Sequence, residues 1–486
     1  MKNILQRIKE NPFSETLSHS KNYLISNVAV KGIGIISLPV MTRLLLPSDY
    51  GILSVFNSYN GILVSVLSLN CYVALGRYYY EKQDDLKEFF GTSIIFVFSL
   101  LTLFFILFII FRDEISSLLS LPSNVIIFCV PSVMLYVFAS WYEQIFVPQR
   151  KSKQIAVRNV ISSCGGFALV VVITLLLSKD RYLGTLCASI ITGMLFSIYY
   201  FYVLKPYIKL SFSIKALKYM LAYSLPLLPY TIGGVVLSQI DKIIINKYCG
   251  QADVGLYSFA YNVGSLLTLV LSSVHLAWAP AYFKLMEEKN YTQLNNDITL
   301  IMKILMICAF FLILFGKEIG MLLAKSNFHS ALFIVPIVVV GSIIYSYSTF
   351  YSWHIQFVKE NMYMTPILLT AGFTSILLNM IFIPKYGYVT APFVSCVSYL
   401  VMLIAAIIVT KKILKIYTTP ILQVSMPFLT MIPFIIVYYV LTSLNLNIAV
   451  NILLKFNMFI IFSSIIFYGY LNKIYCTITN QRINKT

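Results

Sequence analysis

The chain has 486 residues, 59% of them hydrophobic and only 11% charged, with a formal net charge of +18. The apolar share lies well above the ~45–50% usual for soluble domains, which excludes a soluble globular reading. The positive charge does not mark a nucleic-acid binder, because the Lys and Arg residues stand in short segments beside apolar runs, where membrane topology accounts for them.

The apolar residues come in runs of about twenty, the length a helix needs to cross a ~30 Å hydrocarbon layer at 1.5 Å per residue. They lack the period-two alternation of barrel strands. Residues 1–21 are polar and mixed in charge, so the first apolar run is expected to stay as a span and not to be removed as a leader. Within that tail, Ile4, Leu5 and Ile8 with Lys2, Arg7 and Lys9 form either a short interfacial helix or a frayed end. Six spans are predicted next, at 23–46, 52–75, 90–111, 125–147, 155–177 and 183–204. Six more follow at 219–245, 254–280, 298–315, 331–351, 363–383 and 389–410, and a terminal pair at 421–441 and 448–471 brings the total to about fourteen.

The expected architecture is therefore an all-α integral membrane protein. It has an N-terminal tail (1–21), an N-lobe (22–210), a C-lobe (211–415), a terminal helix pair (416–472) and a C-terminal tail (473–486). Of the 36 Lys and Arg residues, 25 fall in the set of loops that includes both termini and 10 in the alternate set, with Lys31 inside the first span. Such a bias places both termini in the cytoplasm. The strongest inside signals are Arg150, Lys151, Lys153 and Arg158, then Lys205, Lys209, Lys215 and Lys218. The eight cysteines stand singly, several of them inside apolar runs (Cys164, Cys187, Cys308, Cys396), and read as small buried residues, not as metal ligands.

An internal repeat organises the spans. The segment TRLLLPSDYGILSVFNSYNGILVSVL after span one is similar to DKIIINKYCGQADVGLYSFAYNVGSLLTLVL after span seven, with Gly51 against Gly255 and Ser54 against Ser258. KDRYLGTLCAS between spans five and six likewise resembles PKYGYVTAPFVS between spans eleven and twelve, at a similar offset of about 205 residues. Both copies start on the same side of the membrane, so the two six-helix halves form a parallel repeat with a cleft expected between them, an arrangement suited to alternating access.

Matching spans carry matching irregularities: Gly32, Gly34 and Pro39 in span one, and Pro226, Pro229, Gly233 and Gly234 in span seven. Helix breaks in corresponding segments of two halves point to a transport site, while packing kinks are the plainer reading. Lys31 lies inside span one, where a cation costs about 2.5–3.5 kcal/mol on insertion scales, so it is expected to face a cavity or an anion. Arg43 at the outer end of span one, Arg77 at the inner end of span two and Lys242 in the outer half of span seven extend that basic lining; for the two arginines, snorkelling to headgroups is the alternative. Asp241 points about 100° away from Lys242 around the helix. With Asn379 of span eleven it is a candidate for a coupling Na⁺ or H⁺, or else a structural partner for a cation on a neighbouring helix. Glu143, His275 and His354 read as hydrogen-bonded packing residues.

Three stretches, SLPVMTRLLLPSDYGILSVFNSY (37–59), YSLPLLPYTIGGVVLSQIDKIIINKYCGQADVGLYSFAYN (223–262) and LLNMIFIPKYGYVTAPFVS (377–395), resemble the motifs of the Wzx-type polysaccharide flippases of the MOP (multidrug/oligosaccharidyl-lipid/polysaccharide) exporter superfamily. The resemblance runs in order along nearly the whole chain. It implies a two-lobed transporter of the bacterial plasma (inner) membrane. Such a protein moves an undecaprenyl-pyrophosphate-linked oligosaccharide repeat unit to the outer leaflet for O-antigen, capsule or exopolysaccharide synthesis, alongside other polysaccharide-assembly proteins. It needs no cofactor beyond a coupling ion. By the same resemblance Lys31, Arg43, Arg77 and Lys242 are the candidates for contact with the diphosphate. A lysine at Lys31 where the family has arginine keeps the charge but gives up bidentate phosphate binding. Three other readings compete: a lipid II flippase of the same superfamily, a MATE-type drug antiporter, and a membrane-embedded polymerase. The antiporter would want carboxylates in the first lobe, and the polymerase a large outward loop. No phosphate-cradling Gly-rich loop is present, which argues against ATP hydrolysis and an enzymatic role.

Overall fold

A computed structural model describes residues 12–81, 85–443 and 447–483. The segment carrying Ile4, Leu5 and Ile8 lies outside the described residues. Those described are almost all helical, with short connections and no strand among them. In chain order the helices are α1 (Pro12–Leu44), α2 (Pro47–Ser68), α3 (Cys71–Glu81), α4 (Leu86–Ile110), α5 (Arg112–Leu119), α6 (Ser123–Phe146), α7 (Ser152–Leu176), α8 (Arg181–Leu204) and α9 (Ile214–Ser224). They continue as α10 (Leu228–Cys249), α11 (Gln251–Gly264), α12 (Leu266–Glu287), α13 (Tyr291–Leu323), α14 (Val335–Phe357), α15 (Met364–Tyr386), α16 (Ala391–Ile408), α17 (Ile421–Ser443) and α18 (Ile448–Ile483). Among the described residues, thirteen spans are long and apolar enough to cross a membrane. The pair Gln251–Gly264 and Leu266–His275, bent by 43°, makes a fourteenth if taken as one span, in agreement with the expected count.

Two compact units result. The first comprises Met1–Phe259, Leu323–Phe328 and Leu368–Ala391; the second comprises Ala260–Leu322, His329–Ile367 and Pro392–Thr486. Lipid tails are as apolar as leucine, so dispersion and interhelical hydrogen bonds, not burial from water, hold such helices together. In the first unit Phe90, Trp141 and Phe138 interlock edge to face, and Tyr78 stacks on Phe89 with ring centroids 4.0 Å apart. In the second unit Trp353 contacts Trp278, Tyr282 and His275. Here His354 bonds the Tyr282 hydroxyl and accepts the Thr419 N–H. In the same unit Lys455, only 5% exposed, meets Glu318 at 2.5 Å. The large exposed side chains of the spans, such as Ile106, Ile109 and Ile198, are the surface that hydrocarbon would cover.

The helix breaks fall only partly where the sequence places them. Span two is not one helix over 52–75: α2 ends at Ser68 and α3 begins at Cys71, with Leu69 (φ 49°) and Asn70 (φ 53°) left-handed between them. Asparagine tolerates that conformation better than most residues. It is pinned there: Asn70 Nδ2 donates to Thr231 Oγ1 at 2.8 Å, and the Ser224 hydroxyl donates to the Asn70 carbonyl at 3.3 Å. Span seven is interrupted at Leu225–Leu227, a single 3-10 turn holding Pro226, with Pro229 in the first turn of α10; the helix then runs on unbroken through Gly233 and Gly234. Span one is the correction. The expected interruption at Gly32, Gly34 and Pro39 is absent, and α1 runs through all three as one helix. Proline removes one N–H from the ladder, and nearby hydroxyls engage the backbone around it: Ser37 Oγ donates to the Gly34 carbonyl at 2.7 Å, and Thr42 Oγ1 to the Leu38 carbonyl at 2.9 Å.

Candidate functional site

The four candidate cations fall in the first unit, together with Asp241 and Asn379. Lys31 and Arg43 both sit on α1, half-buried and exposed respectively. Twelve residues of helix separate them, about 18 Å along the axis at 1.5 Å per residue, so one diphosphate cannot touch both at once. Arg43 reaches back to the Pro39 carbonyl at 3.5 Å.

Arg77 lies on α3, which the break at Asn70 sets off from α2. Its Nε donates to Glu81 Oε1 at 2.6 Å, and the Tyr219 hydroxyl donates to the other oxygen of Glu81 at 2.5 Å. The hydrogen bond it donates to Glu81, then the Glu81 charge, holds the pKa of the Arg77 guanidinium above its ordinary value. Arg77 is therefore a charged end of an exposed Arg–Glu–Tyr group and not an isolated cation.

Helix α10 carries the densest polar face. Thr231, Gln239 and Lys242 stand at i, i+8 and i+11, which returns each to the same side of the helix. Lys242 Nζ donates to Gln239 Oε1 at 2.8 Å, and the same oxygen accepts from Ser58 of α2 at 3.2 Å. With the bond from Asn70 to Thr231, a seam of hydroxyls and amides joins α10 to α2 and to the turn before α3. The Asn70 Oδ1 atom is buried in this seam without a hydrogen-bond partner. Asp241 is 5% exposed: one oxygen accepts the Lys242 backbone N–H at 2.8 Å and the other accepts the Tyr257 hydroxyl.

Asn379 is fully buried on α15; its amide donates to Ser375 Oγ at 3.2 Å, while its Oδ1 is buried without a partner. Of the glycines on α10, Gly233 is close-packed, with Leu369 of α15 3.3 Å from the position of an added Cβ. Gly234, like Gly32 and Gly34 on α1, faces open space. No group of three or more His, Cys, Asp or Glu suited to a metal occurs among the described residues. Ser58, Asn70, Thr231, Gln239 and Tyr257 were not singled out in the sequence. The signal that reveals part of this set is the i, i+8, i+11 spacing of polar residues within an otherwise apolar run.

Known proteins share both the sequence pattern and the fold. Residues 21–286 match the family described as polysaccharide biosynthesis protein. The succinoglycan biosynthesis transport protein ExoT of Rhizobium meliloti (strain 1021) is 21% identical over 271 residues, 55% of this chain and 53% of that protein. The chain spans about half to two thirds of the length of the curated relatives it matches. Among solved structures, the lipid II flippase MurJ in its inward closed conformation superposes with a TM-score of 0.68 at 18% identity, covering 94% of this chain and 100% of that one. An inward-facing multidrug resistance MATE family transporter of the MOP superfamily gives 0.60 at 14% identity, over 78% of this chain and 92% of that one. This chain belongs to the family described as polysaccharide biosynthesis protein and has the fold of the MOP superfamily.

Proposed function

We propose that the protein is a flippase that carries an undecaprenyl-pyrophosphate-linked oligosaccharide repeat unit from the cytoplasmic to the outer leaflet of the bacterial plasma membrane by alternating access, with both termini in the cytoplasm. What supports this reading most is that the family match, residues 21–286, contains all four candidate cations and the polar seam on α10. A lipid diphosphate is anionic at neutral pH, and a cation 4 Å from it contributes about 4 kcal/mol at an effective dielectric of 20. Because Lys31 and Arg43 stand about 18 Å apart on one helix, the basic residues act as successive stations for a headgroup, not as one clamp. The hydroxyls and amides of α2 and α10 offer hydrogen bonds to a sugar. The polyprenyl tail remains in lipid.

Coupling to Na⁺ or H⁺ belongs to this proposal. Asp241 supplies the carboxylate and Asn379 the second oxygen, its buried Oδ1 having no other bond to make. Clean deletion of the gene in a strain with no second copy is expected to strand lipid-linked repeat units on the cytoplasmic face. Normal surface polysaccharide would refute the proposal. Restoration of growth in a strain lacking its lipid II flippase would instead favour peptidoglycan precursor as the cargo.

A further inference from the structure

Two adjoining cavities open along α7 and α8, both within the first unit and apart from the residues assigned to transport. The inner one, of about 420 Å³, is lined by Ser162, Gly166, Thr192 and Tyr200 among others; the outer one, of about 520 Å³, by Lys153, Val157, Ile161, Leu195 and Tyr199. Arg158 and Phe196 line both, so the two form one groove. Arg158 is a built feature of its wall. It is 9% exposed, lies over the rings of Tyr142 and Tyr200 at 5.0 and 5.2 Å, and donates through Nη2 to Glu143 at 2.9 Å. Its Nε–H is buried with no partner.

The charge here is lopsided. Between Glu114 and Asp180 the sequence holds one carboxylate, Glu143, against Arg150, Lys151, Lys153, Arg158 and Lys179. Beyond Arg158 the outer wall turns apolar, and Val157, Ile161, Leu195 and Tyr199 are all exposed on what would be the lipid-facing side. Val157 and Ile161 lie about 6 Å apart along α7, and the adjoining cavity continues along the same helix to Val170, about 18 Å from Arg158.

We propose that this groove holds an anionic membrane phospholipid, its phosphate on Arg158 and Lys153 and one acyl chain along Val157, Ile161, Leu195 and Tyr199. A guanidinium with a spare N–H and a lysine beside it suit a phosphate diester. A basic pocket between spans at headgroup depth is the form that anionic lipid recognition takes. The surplus of cations disfavours the extra positive charge of a choline headgroup. The exposed apolar wall of Val157, Ile161, Leu195 and Tyr199 has no use in binding free phosphate. The site requires no transport, and its test is independent of any cargo.

The test uses the full chain in detergent, incubated with dioleoyl-phosphatidylglycerol or dioleoyl-phosphatidylcholine, stripped of loose lipid, and examined by native mass spectrometry. The wild type is expected to keep phosphatidylglycerol at about tenfold lower free lipid than phosphatidylcholine, a preference equivalent to about 1.4 kcal/mol. Arg158→Gln is expected to abolish that preference. Since it also leaves Glu143 unpaired, Lys153→Gln and Leu195→Trp serve alongside it: the first alters an exposed charge and the second fills the groove from its exposed side. Both are expected to weaken phosphatidylglycerol retention several-fold at an unchanged unfolding temperature. Equal retention of the two lipids by the wild type, undiminished retention by Leu195→Trp, or displacement of the lipid by inorganic phosphate alone would each overturn the proposal.

Discussion

Helices α2 and α11 meet backbone to backbone at Gly51 and Gly255, and replacing either glycine by alanine measures what that close approach contributes. An added Cβ on Gly51 would lie 1.8 Å from the Gln251 carbonyl oxygen, and one on Gly255 would lie 1.8 Å from the Pro47 carbonyl oxygen. Each glycine thus faces the carbonyl four residues before the other, as a two-fold crossing requires, and these are the same two positions that the internal repeat pairs. A tolerable C···O separation is about 3.3–3.6 Å, so one alanine forces the helices apart by about 1.5 Å. Overpacking of this kind costs about 1–3 kcal/mol, and each close Cα–H···O interaction broken by the separation adds about 0.5–1 kcal/mol. Set against the roughly 1 kcal/mol of helix propensity that alanine gains over glycine, the expected net loss for Gly51→Ala is about 1–3 kcal/mol, read by reversible unfolding in mixed detergent micelles. Gly34→Ala is the control: nothing lies within 4 Å of its added Cβ, and the helix propensity gained is about 1 kcal/mol, so it should be neutral or slightly stabilising. The double variant should lose less than the sum of its parts, because once the helices have parted for one methyl group the second fits the gap. A Gly51→Ala protein as stable as Gly34→Ala, or strictly additive losses, would refute the crossing.

Charge reversal by Lys31→Glu is expected to lower surface polysaccharide while leaving the amount of protein in the membrane unchanged; unchanged export would remove this residue from the transport path. Lys455→Met is expected to destabilise the second unit. It leaves Glu318 without its cation, at a cost below the ~3–5 kcal/mol of a fully buried broken pair because Glu318 is 35% exposed. Adding Glu318→Gln should recover most of that loss, and a double variant no better than the single one would show that the pair is not what the lysine serves. Asn70→Ala is expected to lose about 2 kcal/mol, because alanine lacks the short polar side chain that lets asparagine tolerate left-handed backbone and because the interhelical hydrogen bond is lost. Asn70→Gly keeps the conformation and should lose less, so equal losses would place the whole effect in the hydrogen bond.

The helix count and the membrane setting were legible because each is written in a local pattern, run length or charge beside the runs; the repeat set Gly51 and Gly255 as equivalent positions but did not show that they meet. The helix breaks were not legible in the same way. Proline and glycine in span one predicted an interruption that α1 does not have, whereas span two breaks at Leu69 and Asn70, where neither residue type occurs. The difference lies in partners. In α1 the hydroxyls of Ser37 and Thr42 bond the carbonyls of Gly34 and Leu38, partners three and four residues away in the same helix. Asn70 is held in its turn by Thr231 and Ser224, more than 150 residues away in the chain.

The same distinction governs the site. A charge inside an apolar run stands out in the sequence, so Lys31, Asp241 and Lys242 could be named as single residues. What each is bonded to could not, because Gln239, Tyr257 and Ser58 are ordinary uncharged residues until the fold sets them beside the charge. In a bilayer that distinction has energetic weight: a polar side chain without a partner has no water to turn to, so the partner decides whether a buried charge is tolerated. Gln239 therefore bears on the proposed route as much as Lys242, from which it accepts, and a survey of charge alone locates the donor while missing the acceptor that sets how tightly a passing anion is held.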